Sequence, residues 1–172
     1  NTEHFNEVAE LFENTNIHFD FSTDMDGVEY ASIMKNIYAI AAGMCQALHY
    51  GDNFQAVLLS NAIQEIQRFA TAMSNVPRDI TQSGYLGDVL VTGYSQFSRN
   101  RQFGQMLGLG YSVKAAQMEM EMVAEGFYGT KAIYEANQRF KVSLPIVDAM
   151  YEILFNKQKA KPIIKSLTSK LQ

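Results

Sequence analysis

The run Tyr30-Ala31-Ser32-Ile33-Met34-Lys35-Asn36-Ile37-Tyr38-Ala39-Ile40-Ala41-Ala42-Gly43-Met44-Cys45-Gln46-Ala47-Leu48-His49-Tyr50 holds one formally charged side chain, Lys35. Ile33, Ile37, Ile40, Ala41, Met44 and Leu48 fall at helical spacing within it, and the stripe stops at Tyr50-Gly51. A helix this long and apolar belongs in a bilayer or in a protein core. Ser32, Asn36, Gln46 and His49 inside it, with no basic loop behind it, favour the core over a membrane span. The spacing thus predicts a long helix buried by its neighbours, with a single ammonium along its length.

The rest of the chain reads outward from that helix. Upstream, Phe5, Val8, Ala9, Leu11 and Phe12 make a short amphipathic helix, which Asn14-Thr15-Asn16 breaks. Ile17-His18-Phe19-Asp20-Phe21 then alternates as a strand does, so residues 1–26 read as the last helix and strand of an α/β unit. Downstream, Asp52 offers an N-cap for a helix carrying Val57, Leu58, Ile63, Ile66 and Phe69, which ends before Asn75-Val76-Pro77. Asp79 to Gly110 is glycine-rich with poor periodicity, the texture of functional loops. Ser112 caps a short helix, and Met122-Val123-Ala124-Glu125-Gly126 interrupts the pattern. Helices follow through Ala132, Ile133, Ala136 and Phe140, from Pro145, and from near Pro162. The fold class expected is mainly α.

Composition bounds the function. At 47% hydrophobic and 19% charged the 172 residues suit one globular core, or one domain plus the tail of another. A net charge of −4 argues against a general nucleic-acid binder, which needs a basic surface to displace counterions. The lone cysteine, Cys45, excludes an intrachain disulfide, and His4, His18 and His49 are scattered, so no metal-ligand pattern exists. Asn1-Thr2-Glu3-His4-Phe5 has neither the basic flank nor the apolar stretch of a secretory signal, which makes the cytoplasm the expected compartment.

Three stretches carry chemistry. A lone lysine in an uncharged helix either snorkels to water or is held for a purpose, and a desolvated lysine amine is suited to proton transfer near neutrality. Gly84-Tyr85-Leu86-Gly87-Asp88, then Thr92, then Ser98-Arg99-Asn100-Arg101 combine close backbone approach, a carboxylate and phosphate-clamping donors. Glu125 follows an apolar pair at a loop or helix start, where an acid ordinarily serves the helix dipole.

The joint order of these strings resembles a known family. From Gly27 onward the chain is similar to the C-terminal domain of bacterial NAD(P)-dependent sn-glycerol-3-phosphate dehydrogenases. The matching strings are Gly27-Val28-Glu29, Lys35 to Gly43, Tyr50-Gly51-Asp52-Asn53, Leu86-Gly87-Asp88, Ser98 to Gly104 and Met122 to Gly126. The resemblance implies a helical substrate-binding domain of the 6-phosphogluconate-dehydrogenase-like type over 27–172. It makes residues 1–26 the remnant of an N-terminal Rossmann domain.

The reaction it implies is reversible hydride transfer between NAD or NADP and the dihydroxyacetone phosphate/sn-glycerol 3-phosphate pair, which feeds glycerophospholipid synthesis. Lys35 would be catalytic and touch substrate. Asp88, Ser98, Arg99 and Asn100 would bind substrate. Arg99, Val123 and Glu125 would meet the cofactor, and Asn36 and Thr92 would support. No metal is implied, the N-terminal Rossmann domain is the expected partner, and a homodimer stays open. Ala31-Ser32-Ile33-Met34, Asn61-Ala62 and Gly93-Tyr94 depart from the family's usual residues and bear on substrate positioning and cofactor choice. With no Gly-x-Gly-x-x-Gly turn in the sequence, a pyrophosphate has no cradle here, and the chain alone is expected to be inactive. Two other readings remain: a related hydroxy-acid dehydrogenase domain, and a non-catalytic helical interaction or oligomerisation module.

Overall fold

The computed structural model describes residues 2–17 and 21–171. Nine α-helices run through them: α1 (Thr2–Glu10), α2 (Met25–Ala47), α3 (Asp52–Met73), α4 (Asp88–Tyr94), α5 (Arg99–Gly108), α6 (Val113–Glu119), α7 (Glu125–Phe140), α8 (Pro145–Leu154) and α9 (Ala160–Thr168). A π-turn, Ser83–Gly87, leads directly into α4. No strand occurs among the described residues, and three of the five residues expected to form one, His18, Phe19 and Asp20, lie outside them.

Helix α2 is the axis of the fold. Asp24 caps it, its carboxylate accepting from the Gly27 N–H at 3.2 Å. Helices α3, α4, α5, α7 and α8 all pack on it. From Met34 to Cys45 every residue is buried except the half-buried Lys35 and Asn36. The burial by neighbouring helices that the sequence predicts is observed: with five helices packed on it, this stretch has no solvent face to keep polar.

The glycine-rich stretch after Asp79 is corrected, from loop to the π-turn, α4 and α5. Gly93, Gly104 and Gly108 in it serve packing. A Cβ on Gly104 would run into the Ile40 carbonyl, and one on Gly43 into the Arg101 carbonyl, so α2 and α5 approach backbone to backbone. The caps at Ser112 and Pro145 fall where the sequence places them, with Ser112 Oγ accepting from Ala115 N at 3.1 Å and Pro145 in the first turn of α8. Asp52 opens α3 as its first residue, and Gly51 takes the cap position.

Helix α8 has no cap of its own at Leu144. Glu65, fully buried on α3, fills that role from across the core: it accepts from Ile146 N at 2.6 Å, Val147 N at 3.4 Å and Tyr38 Oη at 3.3 Å. One carboxyl group thus ties α2, α3 and α8. Burial pushes its pKa up to about 8 against the pull of those donors.

Candidate active site

Lys35 lies on α2 and Asp88 opens α4, and the packing of those helices brings the two side chains together across 53 positions of sequence. Lys35 Nζ donates to both carboxylate oxygens, at 2.7 and 2.6 Å, with the side chains 23% and 31% exposed. The ammonium is neither alone in the core nor free in water. Two of its three N–H groups are satisfied by Asp88, which leaves one to donate elsewhere.

That remaining capacity borders a cleft of about 340 Å³. Lys35, Asn36, Thr92, Ser98, Arg99 and Asn100 line it, so six of the residues singled out in the sequence converge on one hollow. Val91, Ser95 and Phe97 complete the wall and were not anticipated. Phe97 is 92% exposed, and an aromatic left in water beside a polar cleft is the signal that marks it.

The members do different jobs. Ser98 caps α5, its Oγ accepting from Arg101 N at 3.3 Å, and its own hydrogen remains available to donate into the cleft. Asn100 is buried and engaged at both ends of its amide: Nδ2 donates to Asn36 Oδ1 at 2.9 Å, and Oδ1 accepts from Gly126 N at 2.8 Å. Asn36 in turn donates to Ser32 O at 3.1 Å. This chain of amides fastens α2, α5 and the first turn of α7. Arg99 is exposed, and among the described residues its guanidinium meets only Met122 Sδ at 3.6 Å, so it has donors to spare. Arg101 turns away and donates to the Tyr94 carbonyl at 2.6 Å at the end of α4.

Val123 and Glu125 stand apart from the cleft. Val123 is exposed and borders a second hollow of about 240 Å³ with Phe103, Met122, Phe127 and Tyr128, while Glu125 is exposed at the first residue of α7. Asn100 and Arg99 link this edge to the cleft, through Gly126 and Met122.

A buried cluster also escaped the sequence reading. Arg78, from the loop after α3, donates to Asp24 through Nε at 2.7 Å and Nη2 at 3.1 Å, and the Tyr85 hydroxyl donates to the same carboxylate. The Arg78 guanidinium holds Asp24 down at about 2 despite its burial, and burial beside that carboxylate lifts Tyr85 to about 12. Nothing local signals a pair 54 residues apart.

Known proteins are similar to this chain in sequence and fold. The family model for the NAD-dependent glycerol-3-phosphate dehydrogenase C-terminus matches residues 24–165. A glycerol-3-phosphate dehydrogenase [NAD(P)+] of Bacillus velezensis is 39% identical over 165 residues, 96% of this chain and 48% of the relative, and that of Bacillus subtilis is 39% identical over 164. The crystal structure of glycerol-3-phosphate dehydrogenase from Coxiella burnetii superposes with a TM-score of 0.90 at 28% identity, covering 98% of this chain and 52% of the other. A Dunaliella salina structure shares the fold, with a TM-score of 0.81 at 21% identity. The chain spans about half the length of the curated relatives it matches. With its α2–α5 core and its Lys35 to Gly126 strings inside the matched span, the chain belongs to the NAD-dependent glycerol-3-phosphate dehydrogenase family, and to its C-terminal part.

Proposed function

We propose that this chain supplies the substrate-binding and proton-transfer half of a reversible hydride transfer between NAD(P)H and dihydroxyacetone phosphate, yielding sn-glycerol 3-phosphate. The observation that carries the reading is the Lys35–Asp88 pair, one ammonium N–H of which stays uncommitted at the wall of a cleft that also holds Arg99.

In the reduction, Lys35 donates a proton to the ketone oxygen as charge builds there, and its positive charge stabilises the developing alkoxide. Asp88 keeps the ammonium aimed. Arg99 takes the phosphate dianion in a bidentate clasp, helped by the Ser98 hydroxyl, while Thr92 borders the same space. Asn36 and Asn100, whose amides are already engaged with each other, hold the wall in place.

The residues on the α7 edge fit the near side of a nicotinamide cofactor: an exposed guanidinium, an exposed apolar surface at Val123 and an exposed carboxylate at Glu125 suit a ribose and an aromatic ring. When bound, the cofactor supplies the hydride. Its pyrophosphate needs a glycine-rich turn that this sequence lacks, so it is bound mainly by a Rossmann domain outside the chain, and the chain alone is inactive. We read residues 1–26 as the end of that domain and 27–172 as the helical domain. Supporting this, Val8, Leu11 and Ile17 in the first segment are 46%, 79% and 52% exposed, which is apolar surface left for a neighbour to cover.

The test joins this chain to the N-terminal half of the Bacillus subtilis relative and follows NADH and NADPH oxidation with dihydroxyacetone phosphate. Turnover that disappears in Lys35→Ala is the expected result. A fully active Lys35→Ala fusion would overturn the reading.

A further inference from the structure

The Asp24–Arg78–Tyr85 cluster takes no part in the chemistry above, yet it joins the same two elements as the Lys35–Asp88 pair. Asp24 is the cap of α2, which carries Lys35, and Tyr85 sits in the π-turn three residues ahead of Asp88. Arg78 and Asp24 have side chains 3% and 9% exposed, and Tyr85 is 1% exposed. A buried ion pair is a weak source of net stability, because desolvating both charges offsets most of their attraction; its better-attested use is to fix one arrangement among several.

The packing here is built around that arrangement. A Cβ on Gly27 would collide with both the Asp24 carboxylate and the Tyr85 hydroxyl, so the first turn of α2 is bare where the π-turn docks. Val28 lies against Gly84 in the same contact. Arg78 also donates to Ser74, through Nη1 to O at 3.1 Å and Nη2 to Oγ at 2.9 Å, which fastens the intervening loop to the end of α3. The π-turn itself is an irregular element of a kind often found beside functional sites. Slipping it by one residue would move Asp88 around its helix by about 100° and end the two-oxygen contact with Lys35.

We propose that Asp24, Arg78 and Tyr85 are positioning residues: they set the register of the π-turn on α2 and thereby hold Asp88 opposite Lys35. The inference rests on the reading of Lys35 as proton donor only for its effect on turnover. Its structural half is testable in the chain by itself.

Tyr85→Phe removes the hydroxyl and keeps the ring, and Arg78→Lys keeps the charge and loses the two-pronged contact. Nitrogen-15 spectra of the lysine ammonium groups of this chain, with Lys35 assigned through Lys35→Arg, read the pair directly. In both variants the Lys35 signal should move toward those of the solvated lysines while circular dichroism stays that of the parent. In the fusion to the Bacillus subtilis half, kcat should fall roughly tenfold or more with KM within about twofold, as expected for a displaced catalytic group. If Tyr85→Phe does not fold, Arg78→Lys decides. A Lys35 signal and kcat unmoved in folded variants, with only thermal stability reduced, would make the cluster a structural ion pair and overturn the proposal. A moved signal together with a fully active Lys35→Ala enzyme would leave the positioning standing and remove the catalytic reading instead.

Discussion

Asn100 Nδ2 donates to Asn36 Oδ1 at 2.9 Å, and this bond joins the helix that carries Lys35 to the helix that begins with Arg99. Asn100 Oδ1 is also taken by Gly126 N, so the amide is anchored at both ends and keeps one of its two N–H donors for a phosphate. Asn100→Asp keeps an acceptor for Gly126 and sets an acceptor against Asn36 Oδ1. It should cost about 1–3 kcal/mol in stability, the price of an unsatisfied buried group. It should also lower kcat more than it raises KM, measured by urea unfolding and by the coupled assay in the fusion enzyme. A rise in KM alone would return Asn100 to direct substrate contact.

Asp88→Asn leaves Lys35 with a neutral partner. Turnover should drop by about a hundredfold or more, within the range general acid–base catalysis supplies, and Lys35→Ala should be no better. The double variant Lys35→Ala/Asp88→Asn should be barely worse than either single one, since the pair acts as a unit. Additive losses in a steady-state comparison would mean that the two side chains act separately.

Arg99→Lys tests whether the cleft reads a phosphate. A lysine keeps the charge and loses the planar fork, so KM for dihydroxyacetone phosphate should rise about tenfold or more with kcat less affected. A phosphate-free hydroxy acid accepted equally well, or an unchanged KM in Arg99→Ala, would favour the related hydroxy-acid dehydrogenase reading.

The central helix was legible in sequence because its signal is local, a long uncharged run around Lys35, whereas Asp88 and the Ser98 to Asn100 side of the cleft stood out only because their strings occur together in the order and spacing of the family. Helices α4 and α5 were not legible. Gly104 serves the approach of α5 to Ile40, and a glycine used for close packing looks the same in sequence as one used in a loop. Asp24, Arg78 and Glu65 were missed for a different reason, since each finds its partner only after distant segments have packed: α2 with the loop following α3 for Asp24 and Arg78, and α3 with α8 for Glu65.

Gly104→Ala follows from that close approach. The added methyl meets the backbone of Ile40 rather than a side chain that can swing aside, so α2 and α5 must separate. The loss should be about 1–3 kcal/mol, as for overpacking elsewhere. Thermal unfolding of the isolated chain measures it, and a variant as stable as the parent would show that the helices tolerate the shift.

Glu65 gives the stability of this chain a pH dependence of definite sign. Burial raises its pKa from the ordinary 4.5 to about 8, so between those values the folded chain holds a proton that the unfolded chain has released. The folded state therefore binds more protons, and its stability must fall as pH rises. The contribution is fully present below pH 4.5 and is lost as pH climbs through about 8. Glu65→Gln cannot titrate, yet its carbonyl can still accept from Ile146 N, so the variant should lose little at low pH and show a flatter slope. Melting temperatures across that window, in parent and variant, decide the matter. Equal slopes would mean that the three donors from Tyr38, Ile146 and Val147 hold Glu65 ionised, and that hydrogen bonding outweighs desolvation at this site.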